Sequence, residues 1–413
     1  MAQQRTIGML VGGGPAPGLN GVINAVTIAA RSRGWKVLGI PKGFSQLMRG
    51  DVSSVRELTE KDVAGIEGKG GSILFTSRAN PTKKPEDMQT AVAALQKLGV
   101  TDLVTLGGDD TASSAVKAAA AAGSMRIVHV PKTIDNDLPL PGEAPTFGFE
   151  TAKALGTQLC KNLLVDAQTT SRWYLVTAMG RSAGHLALSM AVGSGSQLVI
   201  IPEEFPAGTI RLDTIADIVE GGIVKREAQG EPWGLVVLAE GLLDRMDPTE
   251  LARFVTLEHD EHNNARLSEI DLGRVVRDVL LLRFKPRGLE TGFITKIIGY
   301  ELRCADPVAF DVQYTRTLGY GAVEFLAKGQ GNALISLQNG QLVPIKFEDL
   351  RDPATGKVRV RRVDVEGGAW KAALALQARI HASDLEGPAL EKLAKAAKLD
   401  VASAKARYQA LAR

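Results

Sequence analysis

The chain has 413 residues, 45% of them hydrophobic, and its 49 Lys and Arg residues against 46 Asp and Glu residues leave a formal charge of +3. A chain of this length can bury a sizeable core and favours two domains or lobes. The balanced charge argues against nucleic acid or a membrane surface as the partner, so we expect a small molecule.

The cysteines and the first residues favour a reducing cytoplasm. Cys160 and Cys304 are the only cysteines, too few for a disulfide framework or a zinc site of paired thiolates. The apolar run at residues 7–11 is short and is followed by glycine, so it predicts a strand rather than a signal peptide. The sequence contains no apolar stretch long enough to cross a bilayer.

The first predicted elements are a strand at 7–11, a loop of three glycines and a helix over 19–32 that ends before Gly34. The same plan is then repeated. A helix at 88–98 precedes a strand at 103–106, the loop Gly107-Gly108-Asp109-Asp110 and a helix at 113–122.

This alternation predicts an α/β fold with a largely parallel sheet. Both glycine loops follow strands and precede helices, and ligands of such sheets bind beyond the carboxyl ends of the strands. The two loops therefore predict an anion-binding crevice. Further strands are predicted at 127–130, 173–177, 198–201, 235–239 and 293–299.

The end of the chain differs in composition. After about Ser383 it is rich in Ala, Lys and Leu, which predicts exposed terminal helices. The basic stretch at 357–362 predicts a solvated strand or loop rather than a binding surface.

The loop from Gly12 to Gly18 offers closely spaced backbone N–H groups at the start of a helix, which suits phosphate oxygens. Taken alone, the loop is better explained as a tight turn. Its glycine spacing does not match the dinucleotide fingerprint.

The second glycine loop places two carboxylates, Asp109 and Asp110, at the end of a strand. One carboxylate together with substrate phosphates is a common arrangement for Mg²⁺. The alternative is that Asp110 or Thr111 caps the next helix.

The stretch Pro131-Lys132-Thr133-Ile134-Asp135-Asn136-Asp137 is the most informative. An extended backbone would place Thr133, Asp135 and Asp137 on one face, with Lys132 and Asn136 opposite. Carboxylates beside a lysine suit proton abstraction at a phosphoryl-transfer centre. A polar turn after the strand is the simpler alternative.

A third motif, Met179-Gly180-Arg181-Ser182-Ala183-Gly184, follows the predicted strand at 173–177. Arg181 would emerge there, where its guanidinium can bind phosphate with two hydrogen bonds. An exposed helical arginine is the alternative. His185 is interpreted as a packing or capping residue because no nucleophile or metal ligand stands at a recognisable spacing.

In this order, the motifs resemble the phosphofructokinase family over about three quarters of the chain. The segment Gly70-Gly71-Ser72-Ile73-Leu74-Phe75-Thr76-Ser77-Arg78 is similar to a further family motif. The resemblance implies two Rossmann-like lobes with largely parallel sheets, plus C-terminal helices. It predicts a donor-binding lobe at 1–147, completed by part of 304–360, a sugar-phosphate lobe at 148–303 and a helical extension at 361–413.

The resemblance also implies phosphorylation of fructose 6-phosphate at its 1-hydroxyl. Asp135 then matches the catalytic base and Asp109 the Mg²⁺-associated carboxylate, while Thr133 and Asp137 steady that centre. The remaining matches are Gly13 at the donor phosphates, Arg78 and Arg181 at phosphoryl or sugar groups, Met179, Gly180 and Glu240 at the sugar, Tyr300 and Arg303 at the 6-phosphate, and Arg172 across a subunit interface.

That last match implies a homodimer or homotetramer. One position departs from the family, because Ile294 stands where ATP-using members carry an arginine. Lys296 is a candidate substitute, although a lysine is a point charge rather than a planar fork.

The donor is predicted from two positions. Members that use ATP have glycine where Asp110 and Lys132 stand, and members that use pyrophosphate resemble this chain. Asp110 would crowd and repel the α-phosphate of a nucleotide, while Lys132 would stabilise the leaving phosphate. The proposed transfer is in line, with Lys132, Arg78 and the Gly13 N–H group stabilising charge.

Three alternatives remain open from the residues. The first is an ATP-dependent phosphofructokinase in which Asp110 has moved aside. The second is a dinucleotide-binding oxidoreductase, which the glycine spacing disfavours. The third is a regulatory subunit without activity, which the grouped charges of Asp109, Asp135 and Arg181 disfavour.

Overall fold

The computed structural model describes residues 4–141, 144–256, 270–350 and 359–412. The chain divides into two compact units, each with its own sheet. Unit 1 comprises Met1–Ala152 and Tyr300–Arg361, and unit 2 comprises Lys153–Gly299 and Arg362–Arg413.

The first part of unit 1 contains β1 (Thr6–Val11), α1 (Leu19–Arg31), β2 (Lys36–Ile40), β3 (Arg56–Glu57), α2 (Pro85–Lys97), β4 (Asp102–Gly107), α3 (Asp109–Ala121), β5 (Arg126–Pro131) and the start of α4 (Phe149–Thr170). Unit 2 continues with β6 (Arg172–Ala178), α5 (His185–Ser194), β7 (Leu198–Ile200), α6 (Leu212–Ala228), β8 (Gly234–Ala239), α7 (Pro248–Leu251), α8 (Leu272–Phe284) and β9 (Gly292–Ile298). The chain then returns to unit 1 with α9 (Tyr300–Arg303), α10 (Ala309–Ala327), β10 (Ala333–Gln338) and β11 (Gln341–Lys346), and ends in unit 2 with α11 (Gly368–Leu376), α12 (Gly387–Ala397) and α13 (Val401–Tyr408).

The sheet of unit 1 has the strand order β11-β10-β5-β4-β1-β2-β3, and its inner pairs are parallel. Helices cover both faces of this sheet, and alternate residues of each strand point to opposite faces. Val104 of β4 packs in a core with α1 and α10, while its neighbour Leu103 packs in a second core with α2 and α3. The carboxyl ends of β1 and β4 consequently lie side by side.

The sheet of unit 2 has the order β7-β8-β6-β9, with every described pair parallel. Helices α6 and α8 pack with β6, β7 and β8 in one core. β9 is an edge strand, and its burial alternates along the chain until the buried Ile298. This strand presents apolar side chains at Ile294 and Ile297 to solvent.

The predicted α/β class with two largely parallel sheets is confirmed, and the predicted strands lie within a residue or two of the observed ones. The helix predicted at 113–122 begins earlier, at Asp109. The compact units also differ from the predicted lobes. The boundary falls within α4 after Ala152, α9 groups with unit 1, and residues 362–413 group with unit 2 instead of standing apart.

The prediction that the terminal helices are exposed was wrong. Leu390, Leu393 and Ala397 of α12 form a buried cluster with Tyr408 of α13 and Val224 of α6. The segment is rich in Ala and Lys and has few leucines, so its composition predicts exposure. The apolar residues are nevertheless spaced three or four residues apart, which places them on one face of the helix. Residues 359–362 of the basic stretch form no strand, and residues 357 and 358 lie outside the described residues.

Across the described helices, none combines the length and the apolar character needed to span a membrane.

Candidate active site

The two glycine loops of unit 1 lie next to each other because β1 and β4 are paired, with Val11 opposite Leu106. The buried side chain of Thr111, in the first turn of α3, fills the space between them. A Cβ atom at Gly12 or at Gly107 would lie 2.3 Å from Thr111 Oγ1. Glycine is therefore required at both positions for the loops to pack against α3.

Gly13 has a positive φ of 80°, and its N–H group donates a 2.8 Å hydrogen bond to the carbonyl oxygen of Ser77. This N–H group, which was predicted to stabilise the donor, is already hydrogen-bonded within the chain, and its role toward the donor stays a prediction. The contact aligns the segment that leads to the exposed Arg78 with the first glycine loop. Because Gly13 has no side chain, a ligand can still approach the backbone of this loop closely.

Lys132, directly after β5, connects this strand to the first glycine loop. Its side chain is buried, and Nζ donates a 2.6 Å hydrogen bond to the carbonyl oxygen of Gly14. Burial lowers the pKa of the ammonium group to about 8, partly offset by the negative charges of Asp135, Asp137 and Asp109. These four side chains thus form one electrostatic group in unit 1.

The segment after β5 turns rather than continuing as a strand, so the predicted extended backbone is wrong. Asn136 adopts a left-handed conformation with φ 57°, which asparagine tolerates better than most residues. Within the turn, the Asp135 N–H group donates a 3.0 Å bond to Thr133 Oγ1. The simpler alternative of a polar turn is thus observed, with the carboxylates still close to Lys132.

Arg361 holds this turn in place and was not recognised in the sequence. Its Nε donates to the carbonyl oxygen of Asn136 at 3.0 Å, and Nη1 donates to the carbonyl oxygen of Ala144 at 2.9 Å. Its Nη2 also contacts Asn136 Oδ1. No signal in the sequence links an arginine in the basic stretch to a turn more than two hundred residues earlier.

Asp137 is half-buried, and this burial together with the charges of Asp135 and Asp109 raises its pKa to about 7. A hydrogen bond from Thr133 acts in the opposite direction. Three carboxylates that repel one another beside a buried amine favour binding of a cation or a proton.

Asp109 and Asp110 occupy the first turn of α3 and are both exposed. Gly108 is the N-cap and no side chain caps the helix, so the alternative in which Asp110 or Thr111 caps it is wrong. Within the described residues, no group of three or more His, Cys, Asp or Glu side chains is arranged to hold a metal ion. A single carboxylate completed by substrate phosphates is the arrangement that fits Mg²⁺ here.

Arg303 lies against the first glycine loop, since a Cβ atom at Gly14 would be 3.4 Å from its guanidinium carbon. Its charge also helps to lower the pKa of Lys132. Tyr300, one turn earlier in α9, is 73% exposed, with its ring 5.1 Å from the Arg303 guanidinium. Unit 1 thus gathers the predicted residues Gly13, Arg78, Asp109, Asp110, Lys132, Thr133, Asp135, Asp137, Tyr300 and Arg303.

In unit 2 the loop after β6 contacts the ends of both neighbouring strands. Ala178 pairs with Ala239 and with Ile298, so Met179, Glu240 and Gly299 follow three adjacent strand ends. The Gly180 N–H group donates a 3.0 Å bond to Glu240 Oε2. Glu240 thereby orders the loop that carries Gly180 and Arg181.

Arg181 is exposed directly after this ordered loop. Asp244, which the sequence did not single out, lies close to it. Burial raises the pKa of Asp244, and the positive charge of Arg181 counteracts this rise. His185 is the first residue of α5, whose N-cap is Gly184 without a side-chain cap, so the capping interpretation of His185 is wrong and the packing interpretation stays a prediction.

Arg172 occupies the opposite end of β6 from Arg181, and seven strand residues span about 20 Å. Its Nε lies 3.6 Å from Asp166 Oδ2. The two arginines therefore cannot hold the same small phosphate from a single chain. Lys296 is exposed on the edge strand β9. It lies on the same face as Ile294, because the two residues are two positions apart along the strand.

The Phosphofructokinase family model matches residues 6–326 of the chain. The chain belongs to the phosphofructokinase family. Among family members, the pyrophosphate–fructose 6-phosphate 1-phosphotransferase of Naegleria fowleri is 49% identical over 407 residues, which cover 96% of this chain and 93% of that protein. The protein of the same name from Thermotoga maritima is 46% identical over 388 residues and covers 92% of each chain.

The fold agrees with that of a solved phosphofructokinase. The pyrophosphate-dependent phosphofructokinase of Nitrosospira multiformis matches with a TM-score of 0.67 at 15% identity, over 87% of this chain and 86% of that one. At this identity the match shows the fold alone. The roles of the individual site residues stay predictions.

Proposed function

We propose that this phosphofructokinase is a diphosphate:fructose-6-phosphate 1-phosphotransferase. It transfers a phosphoryl group reversibly from pyrophosphate to fructose 6-phosphate, giving fructose 1,6-bisphosphate and phosphate. The similarity to two proteins of that name over more than nine tenths of the chain supports the assignment. The observation that carries it is the buried ammonium group of Lys132, fixed on the first glycine loop beside three carboxylates.

Unit 1 carries the groups proposed for proton transfer and for the donor. Asp135 accepts the proton of the attacking hydroxyl group, and its place in the Thr133 turn orients the carboxylate. Lys132, together with Arg78, stabilises negative charge on the donor phosphates. Asp109 would hold Mg²⁺, which when bound neutralises charge on the phosphates.

The choice of donor is proposed to depend on Asp110 and Lys132. Asp110 is exposed in the first turn of α3, where a carboxylate adds bulk and negative charge against the α-phosphate of a nucleotide. Pyrophosphate lacks that group. Lys132 supplies a positive charge that replaces part of the attraction a nucleotide would gain elsewhere.

Unit 2 carries groups proposed for the sugar. Glu240 accepts hydrogen bonds from sugar hydroxyls while its Oε2 atom keeps the Gly180 amide in place. Met179 and Gly180 contact the sugar, and Arg181 holds phosphate. Lys296 of this unit remains a candidate ligand of the 6-phosphate, as do Tyr300 and Arg303, which belong to unit 1.

We also propose a homodimer or homotetramer in which Arg172 serves the site of a neighbouring subunit. The distance from Arg172 to Arg181 along β6 supports this, as does the exposed apolar edge of β9. Such a reaction fits a cytoplasmic enzyme of glycolysis or gluconeogenesis.

The direct test is to follow the reaction in both directions by phosphorus NMR with Mg²⁺ present. Fructose 6-phosphate and pyrophosphate should give the bisphosphate and phosphate, and the bisphosphate with phosphate should regenerate pyrophosphate. Failure of both directions, with activity only when ATP is supplied, would replace this proposal by the ATP-dependent alternative.

A further inference from the structure

The imidazole of His129 lies in the interior of the unit 1 sheet. His129 is fully buried in β5, directly opposite Thr105 of β4. Its Nδ1 is 2.9 Å from Thr105 Oγ1, and its Nε2 is 3.1 Å from the carbonyl oxygen of Gly107. Burial of a polar ring is costly unless both nitrogens are hydrogen-bonded, and here both are.

The partners determine which nitrogen carries the proton. A carbonyl oxygen only accepts hydrogen bonds, so Nε2 must donate to Gly107, and Nδ1 of the neutral ring accepts from the Thr105 hydroxyl group. Burial keeps the ring neutral by lowering its pKa to about 3. His129 is thus a fixed donor to the last residue of β4.

The Gly107 carbonyl oxygen accepts a second hydrogen bond, from the Lys132 N–H group at 2.7 Å. One oxygen atom therefore connects the end of β4 to the imidazole and to the backbone of Lys132. The same lysine reaches the first glycine loop through Nζ. The position of this peptide affects both of the loops that flank Thr111.

The orientation of the Gly107 carbonyl also sets the direction of the next N–H group. In a trans peptide the C=O and the following N–H point in opposite directions. Because the Gly107 carbonyl points toward β5, the Gly108 N–H group points toward β1, where the Gly12 amide bonds to Leu106. Asp109 and Asp110 follow immediately.

We propose that His129 is a positioning residue for the phosphoryl donor, acting through the Gly107–Gly108 peptide. Its Nε2–H group fixes the peptide so that the Gly108 amide and the first turn of α3 meet the phosphates correctly. This role rests on the proposed function. A purely structural role would make the ring important for folding but not for the affinity of pyrophosphate.

Two variants of similar size separate these roles. The amide nitrogen of Gln in His129→Gln can replace the Nε2 donor, whereas Met in His129→Met fills the space without a donor. We expect His129→Met to weaken binding of magnesium pyrophosphate, measured by titration calorimetry, and to lower kcat by roughly 10–100-fold, with the KM for fructose 6-phosphate within twofold. His129→Gln should restore most of both losses.

Equal losses in the two variants, or a rise in the KM for fructose 6-phosphate as large as that for pyrophosphate, would overturn the proposal. If His129→Met does not fold, Thr105→Val decides. This substitution removes the hydroxyl group that orients Nδ1, so it should weaken pyrophosphate binding, by less than is expected for His129→Met. Unchanged binding would overturn the proposal. Wild-type turnover with pyrophosphate, measured in the same series, tests the proposed function separately.

Discussion

The ammonium group of Lys132 lies 2.6 Å from the carbonyl oxygen of Gly14, so the end of β5 is bonded to the loop that follows β1. The two strands are not neighbours in the sheet, because β4 lies between them. Lys132 therefore reaches across the end of β4 and its glycine loop. A buried cation in this place is suited to a small, highly charged anion.

The titration of Lys132 gives the first prediction. Because burial lowers the pKa of the amine to about 8, the side chain loses its positive charge as the pH rises through this value. We expect kcat/KM for pyrophosphate to fall above pH about 8. Lys132→Met should have a lower kcat/KM for pyrophosphate that does not decline over this pH range. An identical decline in the variant would show that another group causes it.

Asp135→Asn tests the proposed base. The substitution removes the proton acceptor but preserves the size of the side chain and the hydrogen bond that the backbone N–H group donates to Thr133 Oγ1. We expect kcat to fall by about 10²–10⁴-fold while the KM for fructose 6-phosphate changes little. Steady-state rates check this, and kcat within a few fold of the wild type would remove Asp135 from that role.

Arg172 and Arg181 can be assigned to different subunits by mixing variants. If Arg172 completes the site of a partner subunit, mixed oligomers of Arg172→Ala and Asp135→Asn contain some sites in which both residues are intact. For a randomly mixed dimer, the mixture should recover about a quarter of the wild-type activity. Arg181→Ala mixed with Asp135→Asn is the control, and it should not recover. No gain in the first mixture would argue against shared sites.

The docking of the terminal helices gives a stability prediction. Glu220 of α6 is fully buried and accepts bonds of 2.6 Å from Arg407 Nε and Nη2, 2.8 Å from Arg287 and 3.0 Å from the Tyr408 hydroxyl group. Glu220→Gln removes the buried counter-charge of two partly exposed arginines and weakens their hydrogen bonds, so it should lower the free energy of unfolding by roughly 2 kcal/mol. The exposed Glu227→Gln on the same helix is the matched control for urea unfolding.

The same cluster has a predictable pH dependence. Although burial alone would raise it, the bonds and charges of Arg407 and Arg287 hold the pKa of Glu220 below its ordinary value of 4.5. A group whose folded pKa is lowered contributes stability above its unfolded pKa and loses it as the pH falls. The difference in stability between wild type and Glu220→Gln should therefore shrink below pH 4.5. A constant difference would contradict the electrostatic explanation.

The sequence predicted the sheets well because buried parallel strands give continuous apolar runs. It also placed Asp109 and Lys132 correctly at strand ends. The sequence left the turn at Asn136 as an alternative to an extended backbone and could not decide between them, because asparagine fits both conformations. The roles of His129 and Arg361 depend on backbone carbonyls that are brought to them only by folding, so no residue pattern could show them.

The most direct test of the central claim is the ratio of kcat/KM for pyrophosphate to kcat/KM for ATP, measured for the wild type and for Asp110→Gly/Lys132→Gly. We predict strong preference for pyrophosphate in the wild type and a ratio shifted toward ATP in the double variant, because the carboxylate no longer opposes the nucleotide. Efficient wild-type turnover with ATP alone, or an unshifted ratio in the double variant, would contradict the account.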